Sequence, residues 1–278
     1  MFGDLTRIGS NFHAYESWTN LKKTNGKIGQ IQSRLSTGKR INSAEDDTSG
    51  YALSKNLESR VRGLGQALDN VGTAKNVLNI AEGGFQSQMS LLQTMKEKAT
   101  QAADGSYSTA QRESIHDQFA ALRTEFDDIS SDTKFNGTAL MSATAMTFHV
   151  GEGSTDTLAV TLGTSVAATV GEDNTDISAT TLATQAGATA GIALLDTAIK
   201  SLSKSIQNVG DNNARLSSKE ESLSLAISNT EATRSRIEDA DFAKEQMSMM
   251  KLQILQQTTV ASFAQANSAP QMVLSLFR

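Results

Sequence analysis

The sequence predicts a mainly α fold: a long antiparallel, coiled-coil-like helical rod with a small β-hairpin region, and N- and C-terminal helices paired as a separate domain. Three observations predict it. Apolar residues recur in steps of three and four over stretches much longer than an ordinary helix. Pro270 is the one proline in 278 residues, and since proline removes a backbone donor and clashes with the preceding turn, its scarcity lets helices run on. Both ends of the chain are amphipathic, where terminal segments are usually polar.

The N-terminal arm, residues 1–35, sets Leu5, Ile8, Phe12, Tyr15, Leu21, Ile28, Ile31 and Leu35 at helical spacing. "LSTGKRINSAEDDTSG" then breaks the pattern, and residues 36–47 read as a linker. Asn42 or Ser43 is placed to cap the next helix, with Glu45, Asp46 and Asp47 in its first turn, where the helix dipole favours negative charge. From Leu53 the seam passes through Leu57, Val61, Leu64, Leu68, Val71, Leu78, Ala81, Phe85 and Met89 to Leu92. A helix from about 46 to 103 would be roughly 85 Å long, too long for a globular domain and right for a rod. "ADGSYSTAQRES", residues 103–114, reads as a loop. Ile115, Phe119, Leu122, Phe126 and Ile129 follow as a second helix, folded back antiparallel because the loop is short. Asn136-Gly137 ends it as a turn.

Residues 142–190 are rich in Thr, Ala and Gly, with no Lys or Arg between Lys134 and Lys200. Here "MTFHVGEGSTDTLAVTL" alternates around "GEGSTD", which predicts a β-hairpin and the only strand structure in the chain. The Thr and Ser residues of this region read as a polar surface loop and hairpin, ahead of an O-glycosylated surface. The long pattern returns at Ile192, Leu195, Ile199, Leu202, Ile206, Val209, Leu216, Leu223 and Ile227. The rod therefore spans 48–230, with the hairpin insert at about 140–190, a second linker at 231–242 and a final helix over 243–278. In the final helix Ile254, Leu255, Phe263, Val273, Leu276 and Phe277 supply apolar surface. Together with Leu5, Ile8, Phe12, Leu21, Ile28, Ile31 and Leu35 they are the expected self-assembly interface. Apolar faces of this length must be buried against each other or against further copies.

Several function classes are excluded. A net charge of -5 with scattered Lys and Arg offers no concentrated basic face for nucleic acid. The absence of Cys removes disulfides, thiol catalysis and Cys-based zinc sites. His13, His116 and His149 have no metal-ligand spacing, and Gly38-Lys39 lacks the preceding glycine of a phosphate loop. Neither a cleaved signal nor a membrane-spanning run is evident, so no membrane insertion is expected. No enzyme activity, cofactor or metal is expected, and the acid pairs read as solvated faces or helix caps. The cluster Met247, Met249 and Met250 fits either interhelical packing or a pliable surface for a chaperone.

"RLSTGKRINSAEDDTSGYALS" and "RIEDADFAKEQMSMMKLQILQQTTVASFAQANSAPQMVLSLFR" resemble the N- and C-terminal signatures of the bacterial flagellins. "TKFNGTALM" and "FHVGEGSTD" are similar to the rod domain of that family. The resemblance implies the filament subunit of the bacterial flagellum, in a minimal form with inner-tube and rod domains only. The terminal helices would pair as the inner domain, and the subunit would be exported unfolded by the flagellar type III pathway to an extracellular filament. Implied partners are further copies of itself, an export chaperone, the filament cap and hook-associated junction proteins. A host Toll-like receptor would respond weakly, because Thr94 and Lys98 stand where many flagellins have Arg and Leu. The alternative is the flagellin-like junction protein between hook and filament. Lys39, Arg40, Asp46 and Asp47 in one linker and Glu238, Asp239 and Asp241 in the other would form a charged joint between tube and rod.

Overall fold

The computed structural model describes residues 11–142 and 145–275, with side chains through residue 268. Five helices account for most of it: α1 (Phe12–Thr37), α2 (Thr48–Ala103), α3 (Thr109–Asp132), α4 (Gln185–Glu238) and α5 (Phe242–Ser275). The described residues up to Arg60, with those from Asn229 onward, form one compact unit; Val61–Ser228 form another.

In the Val61–Ser228 unit the seam on α2 is a heptad. Leu64, Val71, Leu78, Phe85, Leu92 and Ala99 repeat every seven residues, as do Ala67, Ala74, Ala81, Gln88, Met95 and Ala102, and every one is buried. Leu195, Leu202, Val209, Leu216 and Leu223 repeat likewise on α4. This is knobs-into-holes spacing, and the alanine row lets neighbouring backbones approach closely. Cross-helix bonds give the directions. Lys96 meets Asp196 at 2.5 Å and Lys75 meets Glu220 at 2.8 Å, so α4 runs antiparallel to α2. Gln88 Nε2 donates to the Phe126 carbonyl at 2.8 Å and Arg112 Nε to that of Ala102 at 2.9 Å, so α3 also runs back along α2.

The turn between them is tighter than expected. α3 starts at Thr109 because Ser108 and Gln111 form a reciprocal capping box, leaving only 104–108 outside a helix. α4 likewise begins seven residues before Ile192, where the Thr184 hydroxyl accepts from Gly187 N at 3.1 Å.

The strands also depart from expectation. The expected hairpin is present as β3 (Ala145–His149) and β4 (Thr157–Thr161), paired from Ala145↔Thr161 to His149↔Thr157. Two shorter antiparallel pairs accompany it: β1 (Lys134–Phe135) with β2 (Thr138–Ala139), and β5 (Ser165–Val166) with β6 (Thr169–Val170). The first closes over Asn136 and Gly137, both at positive φ (48° and 79°), the dihedral signs of a twisted two-residue hairpin turn. Nor is 142–190 a mere polar surface: Val150, Leu158, Val160, Leu162, Val170, Ile177 and Leu182 join the helical core. The larger apolar side chains of this Thr-rich segment are buried or half-buried, which is how so few of them suffice.

Gln88 holds this segment to the helices. It is fully buried in the heptad row otherwise made of Ala and Met. Besides Phe126 it donates to the Ser165 carbonyl at 2.9 Å and accepts from Ser165 Oγ at 2.5 Å. A polar residue at one core position fixes register, here of β5 against α2.

Candidate functional site

The unit built from both chain ends contains α1, α5, the first turns of α2 and the last turns of α4. α1 and α5 are antiparallel: Asn11 Nδ2 donates to the Ala266 carbonyl at 2.8 Å, Gln256 Nε2 to Asn25 Oδ1 at 2.7 Å, and Arg34 lies 3.5 Å from Glu245. Along this seam α1 contributes Ala14 and Ile31, both buried, with half-buried Leu21, Ile28 and Leu35; α5 contributes Met249, buried, with half-buried Leu252 and Phe263.

The expected interface residues therefore fall on two different faces. Leu21, Ile28, Ile31, Leu35 and Phe263 line the seam within one molecule, whereas Phe12, Ile254 and Leu255 are 77%, 64% and 43% exposed. Leu5, Ile8, Leu276 and Phe277 lie outside the described residues, as does the side chain of Val273. The outward faces are extensive. On α1, Phe12, Tyr15 and Trp18 point to solvent, with Tyr15 and Trp18 rings 6.0 Å apart and Lys22 Nζ 5.7 Å from the indole. On α5, Ala243, Met247, Met250, Ile254 and Ala261 are all exposed in steps of four, three, four and seven. That stripe is displaced by two residues from the inward stripe of Glu245, Met249, Leu252 and Gln256. Two residues are about 200° of helix rotation, so α5 is apolar on opposite sides.

Beneath the paired helices the two connections meet. Gly38, at φ 72°, ends α1 in the left-handed conformation and donates back to the Arg34 carbonyl at 2.9 Å. The chain then pairs with residues 238–240: Arg40 N donates to Glu238 O at 2.6 Å, Ala240 N to Gly38 O at 2.9 Å, and Lys39 bridges Asp239. Helix α4 persists to Glu238, so only 239–241 separate it from α5.

The charged residues divide their tasks. Glu238, buried, receives Lys39 Nζ at 2.5 Å and Ser54 Oγ at 2.5 Å, with Arg234 at 4.0 Å. Burial alone would raise the Glu238 carboxyl, but the hydrogen bonds from Lys39 and Ser54 and the charges of Lys39 and Arg234 outweigh it and hold it below its ordinary range. Arg40 reaches the Ile237 carbonyl at 2.7 Å rather than a carboxylate. Asp46 is held low by hydrogen bonds from Gln30, Asn42 N and Ser43 N, with Arg34 4.0 Å away. Asp239 accepts from Ser235 Oγ and Asp241 caps α5 through Ala243 N at 3.0 Å and Lys244 N at 3.1 Å.

The cap expected at Asn42 or Ser43 is instead Asp47. Its Oδ1 accepts from Gly50 N at 2.9 Å, and α2 has no acid in its first turn because Glu45, Asp46 and Asp47 all precede it. Ser54 was missed by sequence reasoning, and Met249 was read only as part of a cluster with Met247 and Met250. Ser54 stands among polar residues, and Met249 sits between two methionines that face the other way.

A helical protein of this kind, with chain ends paired in one unit and a heptad core in the other, is a class of self-associating structural protein. The chain belongs to the bacterial flagellins. The family model for the bacterial flagellin N-terminal helical region matches residues 8–146, and that for the C-terminal helical region matches 192–277. The chain is similar to flagellin FlaB1 of Treponema pallidum, 34% identical over 98% of this chain and 99% of the relative. It is also similar to a flagellin of Listeria innocua, 29% identical over 97% and 99%. A solved structure from Vibrio parahaemolyticus, described as a flagellar hook-associated protein, covers 70% of this chain and all of its own with a TM-score of 0.59; at 14% identity it shares the fold alone.

Proposed function

We infer that this chain is the structural subunit of a bacterial flagellar filament, and that neighbouring copies cover the outward faces of α1 and α5. The observation that carries this reading is the second apolar side of α5. Its inner stripe is satisfied by α1, while Met247, Met250 and Ile254 remain more than half exposed. One molecule cannot bury both stripes, and contacts that repeat without closing generate a helical polymer. The relatives support this, since one from Brachyspira hyodysenteriae, 31% identical, is described as a flagellar filament core protein.

The Lys39–Glu238 contact ties the connection after α1 to the last residue of α4. The subunit works outside the cell and is exported unfolded, which suits a chain with no Cys and one Pro. The same outward face of α5 serves an export chaperone before assembly; the filament cap and hook-associated proteins meet the polymer at its ends. Receptor activation is weak, with Thr94 turned onto its own helix at the Ser90 carbonyl, 3.0 Å away.

Electron microscopy of chain lacking residues 242–278 tests the interface. The truncated protein forms no filaments at concentrations where the full chain does, while circular dichroism retains the helix of the Val61–Ser228 unit. Filaments from the truncated chain would overturn the interface, and full-length chain that forms only short oligomers would favour a junction adaptor.

A further inference from the structure

We propose that Met247 and Met250 are a paired oxidation site through which peroxide-class oxidants stop this protein from assembling. The two residues are 61% and 55% exposed and lie on the outward stripe of α5 beside Ile254. Met249, between them in sequence, is 8% exposed and turned into the α1 seam. Of the other methionines whose side chains are described, Met95 and Met141 are fully buried and Met89 and Met146 are half-buried. In a chain without Cys, no thiol competes for the oxidant.

The chemistry is a two-electron oxygen transfer. The sulfur lone pair attacks one peroxide oxygen, the O–O bond breaks, an S–O bond forms, and the second oxygen leaves as water after proton transfer. Sulfur is oxidised and peroxide reduced. A thioether that can be buried becomes a strongly polar, chiral sulfoxide. On the outward stripe this costs the free chain little, because both residues are more than half exposed. In an interface the sulfoxide oxygen must be desolvated without a matched donor, which is unfavourable. The lesion therefore acts on association and spares the fold. Buried Met249 would do the reverse, since its sulfoxide would open the α1–α5 seam.

The consequence for assembly rests on the filament role inferred above, so the test separates the two. Full-length monomer is treated with dilute hydrogen peroxide, quenched and digested, and sulfoxide at each methionine is quantified by mass spectrometry. Met247 and Met250 oxidise roughly tenfold faster than Met249, as susceptibility follows exposure. Treated chain keeps its circular dichroism spectrum, and filament yield falls about tenfold or more. The Met247→Leu/Met250→Leu chain is read against itself: its treated and untreated portions give the same filament yield. Equal oxidation of Met249 overturns the site. Normal filaments from chain sulfoxidised at both positions, or loss of assembly in the treated double-leucine chain, overturns the switch. If untreated chain forms no filaments, the filament role itself fails, whatever the oxidation pattern.

Discussion

Replacing Glu238 with alanine removes the acceptor shared by Lys39 and Ser54, and the two partners respond unequally. The Lys39 side chain is 41% exposed and rehydrates, so its loss is worth no more than about 1 kcal/mol. Ser54 is 2% exposed, and its hydroxyl at 2.5 Å would be left without an acceptor, costing about 1–3 kcal/mol. Glu238→Ala should destabilise the unit containing both chain ends by about 2–3 kcal/mol. Glu238→Gln keeps an oxygen for Ser54 and loses only the charge, so about 1 kcal/mol is expected. Urea unfolding of dilute monomer, followed by fluorescence of Trp18, the one Trp in the chain, measures this unit directly. The decisive comparison is the double substitution. Ser54→Ala in the Glu238→Ala background removes the orphaned hydroxyl and should cost nothing further or restore about 1 kcal/mol. Strictly additive losses, or a Glu238→Ala chain within about 0.5 kcal/mol of the parent, would refute the shared-acceptor argument.

The same carboxylate makes stability depend on acid. Its folded-state value lies below the ordinary value near 4.5, so its contribution is complete above that value and is lost as pH falls through the folded one. Asp46 is lowered too and acts in the same window, so Glu238→Gln should flatten the acid limb of a Trp18-monitored pH titration only in part. In the other unit, Gln88→Ala should cost about 3 kcal/mol by calorimetry, because the Phe126 and Ser165 carbonyls and the Ser165 hydroxyl lose their partner inside the core. Two glycines should respond with opposite sign. Gly72→Ala, in open space on α2, should gain about 0.5–1 kcal/mol, whereas Gly171→Ala should lose about 2 kcal/mol or more. At Gly171 φ is +67° and a Cβ would meet the Ser201 backbone at 2.5 Å; thermal melts of both variants read the contrast.

The long helices were legible because a heptad repeats its information. Leu64, Val71, Leu78, Phe85 and Leu92 each announce the same face, and one misread position changes nothing. Single-residue decisions were less legible. Asn42 and Ser43 carry cap-competent side chains, yet it is Asp47 that accepts from the first turn of α2, and neighbouring polar residues of one type give no spacing by which to choose among them. Strands β1, β2, β5 and β6 are two residues long, too short for alternation to register. Asn136-Gly137 did signal a turn, but its pairing depends on what packs above it. The outward and inward faces of the terminal helices share one alphabet of Leu, Ile, Met and Phe. Composition marks both as apolar, and only the spacing offset of two residues separates a seam filled within the molecule from one left open.

With neighbouring copies covering the outward stripe of α5, as proposed, the stability of the terminal unit depends on more than one molecule, and its melting midpoint should rise with protein concentration as mass action fills that stripe. Dilution is then a denaturant for this part of the chain, and polymer growth completes its folding.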